Sequence, residues 1–207
     1  MLQFLVSSIL ISKTNLKLLK YETRKDEIIQ TSAILFQKKG YSAVTMRDIA
    51  KAMGIKAASL YNHIKSKQEI LSEIIISLAE QFTKQMKVIK NSNDCSIDKL
   101  KQIVALHVNI TANNQFGMSS LNSDWMHLEA ELEYYLELRK NYENDFRSII
   151  EKGIKDNELT NSNPEVMLFS MLSTLRSLYI WLPKKEYLDI EKFTTELSLV
   201  LIIGISK

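Results

Sequence analysis

The chain has 207 residues, 45% hydrophobic and 25% charged, an ordinary balance for a soluble globular protein. Its formal charge of +3 is unevenly placed: residues 1–67 hold 12 Lys/Arg against 4 Asp/Glu, and residues 68–207 hold 15 against 20. Two prolines and five glycines argue against a strand-and-turn fold, and a single cysteine, Cys95, excludes an intrachain disulfide and suggests a reducing compartment. A basic front end on an acidic body points to a polyanion partner, because cationic side chains gain from releasing the counterions of a phosphate backbone.

Met1 to Ser12 is mostly apolar, but no basic residue precedes the run and no small-residue cleavage site follows it. It is also shorter than the roughly 20 apolar residues that span a bilayer. Residues 1–20 therefore read as a helical or frayed extension, or as sequence added by an upstream start codon. No segment reads as transmembrane, and the expected location is the cytoplasm.

The remainder reads as all-α, with about nine helices. The first covers residues 23–39, with Ile28, Ile29, Ala33, Leu35 and Phe36 near the helical period and Gly40 as its stop. Thr45 is a good N-cap for a short second helix whose inner face is Ile49, Ala50 and Met53. Gly54 permits the positive φ of a tight turn. A third helix is expected over residues 57–64, with Leu60 and Ile64 inward, and Ser66 with Glu69 predicts a capping box for a fourth helix reaching residue 90. A fifth helix is expected over 97–114, a break near Gly117, a short sixth over 120–127 and a long seventh over 128–153. Asn163-Pro164 starts an eighth helix that ends at Trp181 before Pro183, and Asp189 caps a ninth reaching about residue 205.

Thr45 to Ile64 has the pattern of a helix-turn-helix, which places its second helix in the major groove of DNA. The inner set is Ile49, Ala50, Met53, Ile55, Leu60 and Ile64, and the outer set on the second helix is Lys56, Ala57, Ser59, Asn62 and His63, with Tyr61 at the rim. Asn pairs with adenine edges, Ser with several bases, and Ala packs on a thymine methyl. Thr45, Arg47, Lys65 and Lys67 stand at helix ends, where cations and backbone N–H groups hold phosphates.

Residues 24–71 resemble the DNA-binding domain of the TetR family of bacterial transcriptional regulators. The carrying residues are Ala33, Leu35-Phe36, Gly40-Tyr41, Thr45-Met46, Asp48-Ile49-Ala50, Gly54-Ile55, Ser59-Leu60-Tyr61, His63 and Ser66-Lys67. Ile64 stands where the family usually has Phe, and Ala58 where Gly or Ser is frequent. The resemblance implies a homodimer whose front domain (residues 21–67) binds a palindromic operator. The rear domain (residues 68–207) would dimerise and bind a small ligand that releases DNA. By residue match, Thr45, Tyr61, His63 and Lys67 resemble phosphate-contacting positions, and Ser59 and Asn62 lie at or near the bases.

In the rear domain, the eighth and ninth helices are apolar over more than one face and need burial on two sides. A two-fold interface between copies would supply it, with Leu168, Leu172, Leu175, Leu197, Val200 and Leu201 as candidates. His107, Phe116, Trp125, Met126, Tyr135, Tyr142 and Met171 supply the apolar surface with few polar tips expected of a ligand pocket. The pattern from Trp125 to Gly153, with Trp181 ending the eighth helix, is similar to the branch of the family that responds to fatty acids and acyl-CoA thioesters. That similarity implies a small hydrophobic ligand, with an acyl-CoA the leading candidate and a planar apolar drug or another apolar metabolite as alternatives. The same front end would serve an architectural or activating DNA-binding protein without a ligand. No cofactor and no metal are expected, and without a metal-ligand spacing, a phosphate-cradling glycine loop or a nucleophile motif the chain does not read as an enzyme.

Overall fold

The computed structural model describes residues 23–185 and 187–203. The expected N-terminal extension and the expected end of the last helix near residue 205 lie outside the described residues. Among the described residues there are nine α-helices, two short 3-10 turns and no β-strand.

Three helices form the front: α1 (Arg24–Lys39), α2 (Met46–Ala52) and α3 (Ala57–Leu60). Capping boxes start α1 (Thr23 with Asp26) and α2 (Thr45 with Asp48), each satisfying two otherwise orphaned backbone N–H groups. Gly54, at φ +68°, closes the turn between α2 and α3 in a conformation that a side chain would strain. The expected helix over 57–64 is α-helical only to Leu60. The chain continues as a hydrogen-bonded turn in which Leu60 O accepts from both His63 N (3.0 Å) and Ile64 N (3.2 Å). Leu60 and Ile64 thus still point inward and are buried with Ile28, Phe36, Val44 and Ile49.

Helix α4 (Lys67–Asn91) leaves this front core and enters the rear one. Ser66 caps it by accepting from Glu69 N at 3.0 Å. The second half of the expected capping box differs: the Glu69 carboxylate accepts from Lys65 N at 2.6 Å. The rear domain adds α5 (Ser96–Asn113), α6 (Gln115–Ser123), a 3-10 turn (Trp125–His127), α7 (Leu132–Lys155), α8 (Pro164–Trp181), a 3-10 turn (Leu182–Lys184) and α9 (Ile190–Ile203). Two expectations are corrected here. Gly117 lies inside α6, because Asn114 ends α5 and its side chain accepts from Gly117 N at 3.1 Å to start the next helix at once. The long helix α7 begins at Leu132, since the chain turns through the 3-10 segment and residues 128–131 first.

Phe82, Met86, Leu100, Ile103, Val104, Phe146, Ile150, Met171 and Leu175 form the rear core. The segment Pro164–Lys184, of mean hydropathy 1.3, is long and apolar enough to cross a membrane by length and composition alone. Met167, Leu168, Met171, Leu172, Leu175 and Leu178 on one of its faces are buried in the rear core, the pattern of a core helix.

Gly153 lies two residues before the end of α7, and its lack of a side chain lets other chain segments close on it. A Cβ at that position would stand 2.8 Å from both Leu159 Cδ1 and Ser96 Cβ. We expect Gly153→Ala to destabilise the protein by about 1–3 kcal/mol, read as a lower midpoint in thermal or urea unfolding. A variant as stable as the parent would show that α5 and the 159 segment give way without cost.

Candidate nucleic-acid interface and buried cavity

With Ile49, Ala50, Leu60 and Ile64 buried, the opposite face of the α2–α3 unit is left to solvent. Thr45, Arg47, Lys56, Ser59, Tyr61, Asn62, His63 and Lys65 are all exposed there, Tyr61 to 54%. Ala57 is half-buried and packs on the front core. The Thr45 hydroxyl is already engaged, donating to Asp48 Oδ2 at 2.5 Å while accepting from Asp48 N. The Thr45 hydroxyl and the Thr45 N–H, which both donate to Asp48 Oδ2, hold the Asp48 carboxyl below the usual carboxylate range. Lys67 is half-buried. Its Nζ donates to Tyr41 O at 2.9 Å and lies 4.1 Å above the Tyr41 ring, so the ammonium is anchored at the rim of the face.

A cavity of about 60 Å³ lies among five rear helices. Ala79, Phe82 and Thr83 come from α4, His107 from α5, Met118, Leu121 and Asn122 from α6, Tyr135, Leu138, Arg139 and Tyr142 from α7, and Leu172 and Arg176 from α8. Of the expected pocket residues the structure therefore brings together His107, Tyr135 and Tyr142. The other four stand elsewhere. Phe116, in the first turn of α6, and Trp125, in the 3-10 turn after it, pack on the front core. Met126 is exposed on the 3-10 turn, and Met171 is one helical step out of phase with Leu172, in the closed core.

His107 and Tyr142 are the polar pair inside. His107 Nε2 lies 2.7 Å from Tyr142 Oη, and Phe82 covers the imidazole with ring centroids 4.7 Å apart. His107 Nδ1 is buried without a hydrogen-bond partner. Burial, helped by the charge of Arg176, pushes the imidazole down to about 3, and burial pushes the Tyr142 phenol up. Both groups are neutral at pH 7. Arg139 and Arg176 share Glu143 at the cavity mouth. Burial alone would raise the Glu143 carboxyl, but hydrogen bonds from Arg176 and Arg139 outweigh it and hold the group below its ordinary range.

The sequence motifs do not single out these two arginines, although both left a signal. Arg139 falls four residues after Tyr135 and three before Tyr142, on one helix face, and Arg176 is the only cation in the apolar run of α8.

The cavity is linked to the front domain by a second route besides α4. The Trp125 ring lies 5.8 Å from that of Tyr135 and 5.7 Å from the Arg139 guanidinium. Two residues on, the His127 ring stacks on Tyr41 at 5.2 Å, and His127 O accepts from Gln68 Nε2 at 2.6 Å. Tyr41 Oη in turn donates to Gln68 Oε1 at 2.5 Å.

The expected dimer residues divide by the same phase argument. Leu168, Leu172 and Leu175 are buried within this chain and have almost no surface left for a second copy. Leu197 and Leu201 are half-buried against the rear core, and Val200 is 74% exposed. The outward stripe of α8 is Val166, Phe169, Ser170, Ser173, Ser177 and Ile180, with Leu199 and Val200 on α9.

Residues 28–74 match the family model for "Bacterial regulatory proteins, tetR family", and residues 93–201 match "Tetracyclin repressor-like, C-terminal domain". The HTH-type transcriptional repressor KstR2 of Rhodococcus jostii (strain RHA1) is 28% identical over 152 residues, which are 72% of this chain and 74% of the relative. The negative regulator of the biofilm operon icaADBC, IcaR of Staphylococcus aureus (strain Newman), is 38% identical over 80 residues, 39% of this chain and 43% of the relative. Among solved structures, the ketosteroid transcriptional regulator KstR2 of Mycobacterium tuberculosis aligns with TM-score 0.85 at 18% identity, over 91% of this chain and 97% of that one. AibR in complex with isovaleryl coenzyme A and operator DNA aligns with TM-score 0.74 at 20% identity, over 87% and 98%. At these identities the two structures show a common fold.

The buried imidazole has a consequence for stability. The unfolded chain takes up a proton near pH 6.5, whereas the folded protein resists it down to about 3. The unfolded state thus binds more protons between those values, and the His107 contribution, complete above 6.5, is lost as pH falls. We expect unfolding free energy to drop on acidification from pH 7 to 5, with a limiting slope of about 1.4 kcal/mol per pH unit from this group. His107→Gln should flatten that slope. An unchanged slope would mean that the ring is solvated in the folded protein.

Proposed function

The chain belongs to the TetR family of bacterial regulatory proteins, and we propose that it acts as a homodimeric repressor released from a palindromic operator by a small hydrophobic ligand held in the rear cavity. The observation that carries this reading is the continuity of α4. The helix begins at Lys67, beside the reading head, and its own residues Ala79, Phe82 and Thr83 wall the cavity. At 1.5 Å per residue the cavity wall lies roughly 20 Å along one unbroken helix from the head.

The cavity is smaller than the roughly 300–1,000 Å³ of occupied ligand pockets. A ligand must therefore part its walls, α4 among them. Displacing α4 by a small angle moves the front domain, and in a dimer it changes the separation of two heads that must meet half-sites about one helical turn apart or slightly more. A ligand favouring the parted form shifts the population away from the DNA-competent one. The exposed apolar stripe on α8 and α9 supports dimerisation through those helices, since a second copy would cover it. The apolar walls with the His107–Tyr142 polar pair suit an acyl group, and the isovaleryl coenzyme A bound by AibR supports acyl-CoA thioesters as ligands. No catalytic step belongs to this reading, and its place is the cytoplasm.

The test is binding of purified protein to DNA flanking its own gene, over a salt series, with and without acyl-CoA thioesters of graded chain length. Selective binding that weakens with salt and is lost with a thioester is the expected result. Ligand binding that leaves operator affinity untouched would overturn the switch. Arg47→Ala and Lys65→Ala should each weaken binding about equally on all sequences and lower the salt slope by about 1. Asn62→Ala should cost about 1–3 kcal/mol and relax preference at one base position. If Asn62→Ala weakens all sequences equally, the residue is not reading a base.

The Tyr41–Gln68–His127 contact makes a separate prediction about signal transfer. Gln68→Ala should leave operator affinity near that of the parent but reduce the ligand-induced change by about 0.5–2 kcal/mol. Undiminished coupling in that variant would assign the transfer to α4 and to the packing of α1 on α6.

A further inference from the structure

Arg139 and Arg176 both line the cavity mouth, and both donate to the same atom, Glu143 Oε1, at 3.2 and 2.7 Å. Two guanidinium groups against one carboxylate leave a positive charge in excess. All three side chains are only about one-third exposed, in surroundings where a charge-assisted hydrogen bond is stronger than in open water. Glu143 itself does not line the cavity. Deeper in, His107 also lines the cavity, and its buried Nδ1 has no hydrogen-bond partner among the described residues. A purely apolar ligand would satisfy neither the surplus cation nor the orphaned ring nitrogen.

We propose that Arg139 and Arg176 are an anion subsite: the effector is an amphipathic anion whose apolar part lies among Phe82, Met118 and Leu172 and whose negative group takes the place of Glu143 between the two guanidiniums. This names the ligand class of the cavity and rests on the ligand-responsive reading above. The exchange has a mechanical side. Glu143 ties α7 to α8 through Arg176, and an incoming anion moves that tie onto the ligand. The anionic group is the carboxylate of a free apolar acid or a phosphate of a coenzyme A thioester, and the same assay separates them.

The experiment uses the full-length protein and three matched series of straight-chain probes from four to twelve carbons: free carboxylates, their primary amides and their CoA thioesters. Affinity is read by calorimetry and operator release by fluorescence anisotropy. Members of an anionic series should bind at least about tenfold more tightly than the amide of equal length. Arg176→Met should remove most of that advantage, bringing the affinity of an anion close to that of the amide of equal length. Glu143→Gln, which frees both guanidiniums from a competitor, should strengthen anion binding several-fold. That gain would not arise from a merely structural ion pair. If Arg176→Met does not fold, Arg139→Met, which leaves the Arg176–Glu143 bond in place, makes the same test. Carboxylates that surpass thioesters identify the free acid, and the reverse order identifies the coenzyme. Amides that match the anions at every length, no binding in either anionic series, or an anion affinity insensitive to both arginine variants would overturn the subsite. Operator release by amides alone would overturn it too, while keeping the ligand-responsive repressor. Tight anion binding without operator release would keep the subsite and sink the repressor switch.

Discussion

The structure depends on one helix shared by two cores. On α4, Ile70, Leu71, Ile74, Ile75 and Ala79 are buried in the front cluster, and Leu78, Phe82, Met86 and Ile89 in the rear one. Fully burying an aliphatic or aromatic side chain stabilises by roughly 1.5–3 kcal/mol, so four of them hold each end with something on the order of 6–12 kcal/mol. That is similar to the whole stability of a typical domain, about 5–15 kcal/mol. The helix can tilt with either core but cannot leave one. Whatever moves the cavity walls is therefore felt at the DNA face, and whatever fixes the DNA face resists opening of the cavity.

The second constraint is polar. Within the cavity the rear domain holds a neutral hydrogen-bonded pair, His107 and Tyr142, with three charged side chains, Arg139, Glu143 and Arg176, at the cavity edge. Burying such groups is costly unless each finds a partner. Among the described residues, the side-chain atoms buried in this domain without a partner are Ser96 Oγ, Thr111 Oγ1, Ser120 Oγ and His107 Nδ1, and of these only His107 lines the cavity. An apolar residue at position 107 would give a quieter core. Retaining an imidazole held neutral by its surroundings makes chemical sense where a polar contact is supplied from outside the chain.

The links between cavity and reading head differ in character. The α4 link is rigid and apolar, and carries displacement. The link through Trp125, His127, Gln68 and Tyr41 is a chain of ring contacts and hydrogen bonds with alternative partners in water. Lys67 stands where they converge, its ammonium on the Tyr41 carbonyl and ring at the first turn of α4. Lys67, one of the four residues at positions resembling the family's phosphate contacts, is thus also the one that a change at Tyr41 would reach directly.

The sequence by itself determined the features that depend on local rules. Thr45, Gly54 and Ser66 fix the start, turn and restart of the reading head through capping and a positive φ, and the inner set from Ile49 to Ile64 comes from helical spacing within a few turns. The exposed face of the α2–α3 unit was legible because it is the complement of that buried set. The cavity lining and the outward apolar residues of α8 and α9 were legible only in part. On α8, two apolar faces share one helix, and periodicity cannot tell which of Leu172 or Phe169 turns inward. Met171 and Leu172 differ by one residue, but only Leu172 reaches the cavity. Phe116 stands in the first turn of α6, which Asn114 starts earlier than expected, and Trp125 stands in the 3-10 turn beyond that helix, and both pack on the front core. Arg139 and Arg176 become partners only when α7 and α8 pack together, 33 residues separating Glu143 from Arg176. Such assignments rest on contacts between distant parts of the chain, whose geometry the packing of whole helices decides.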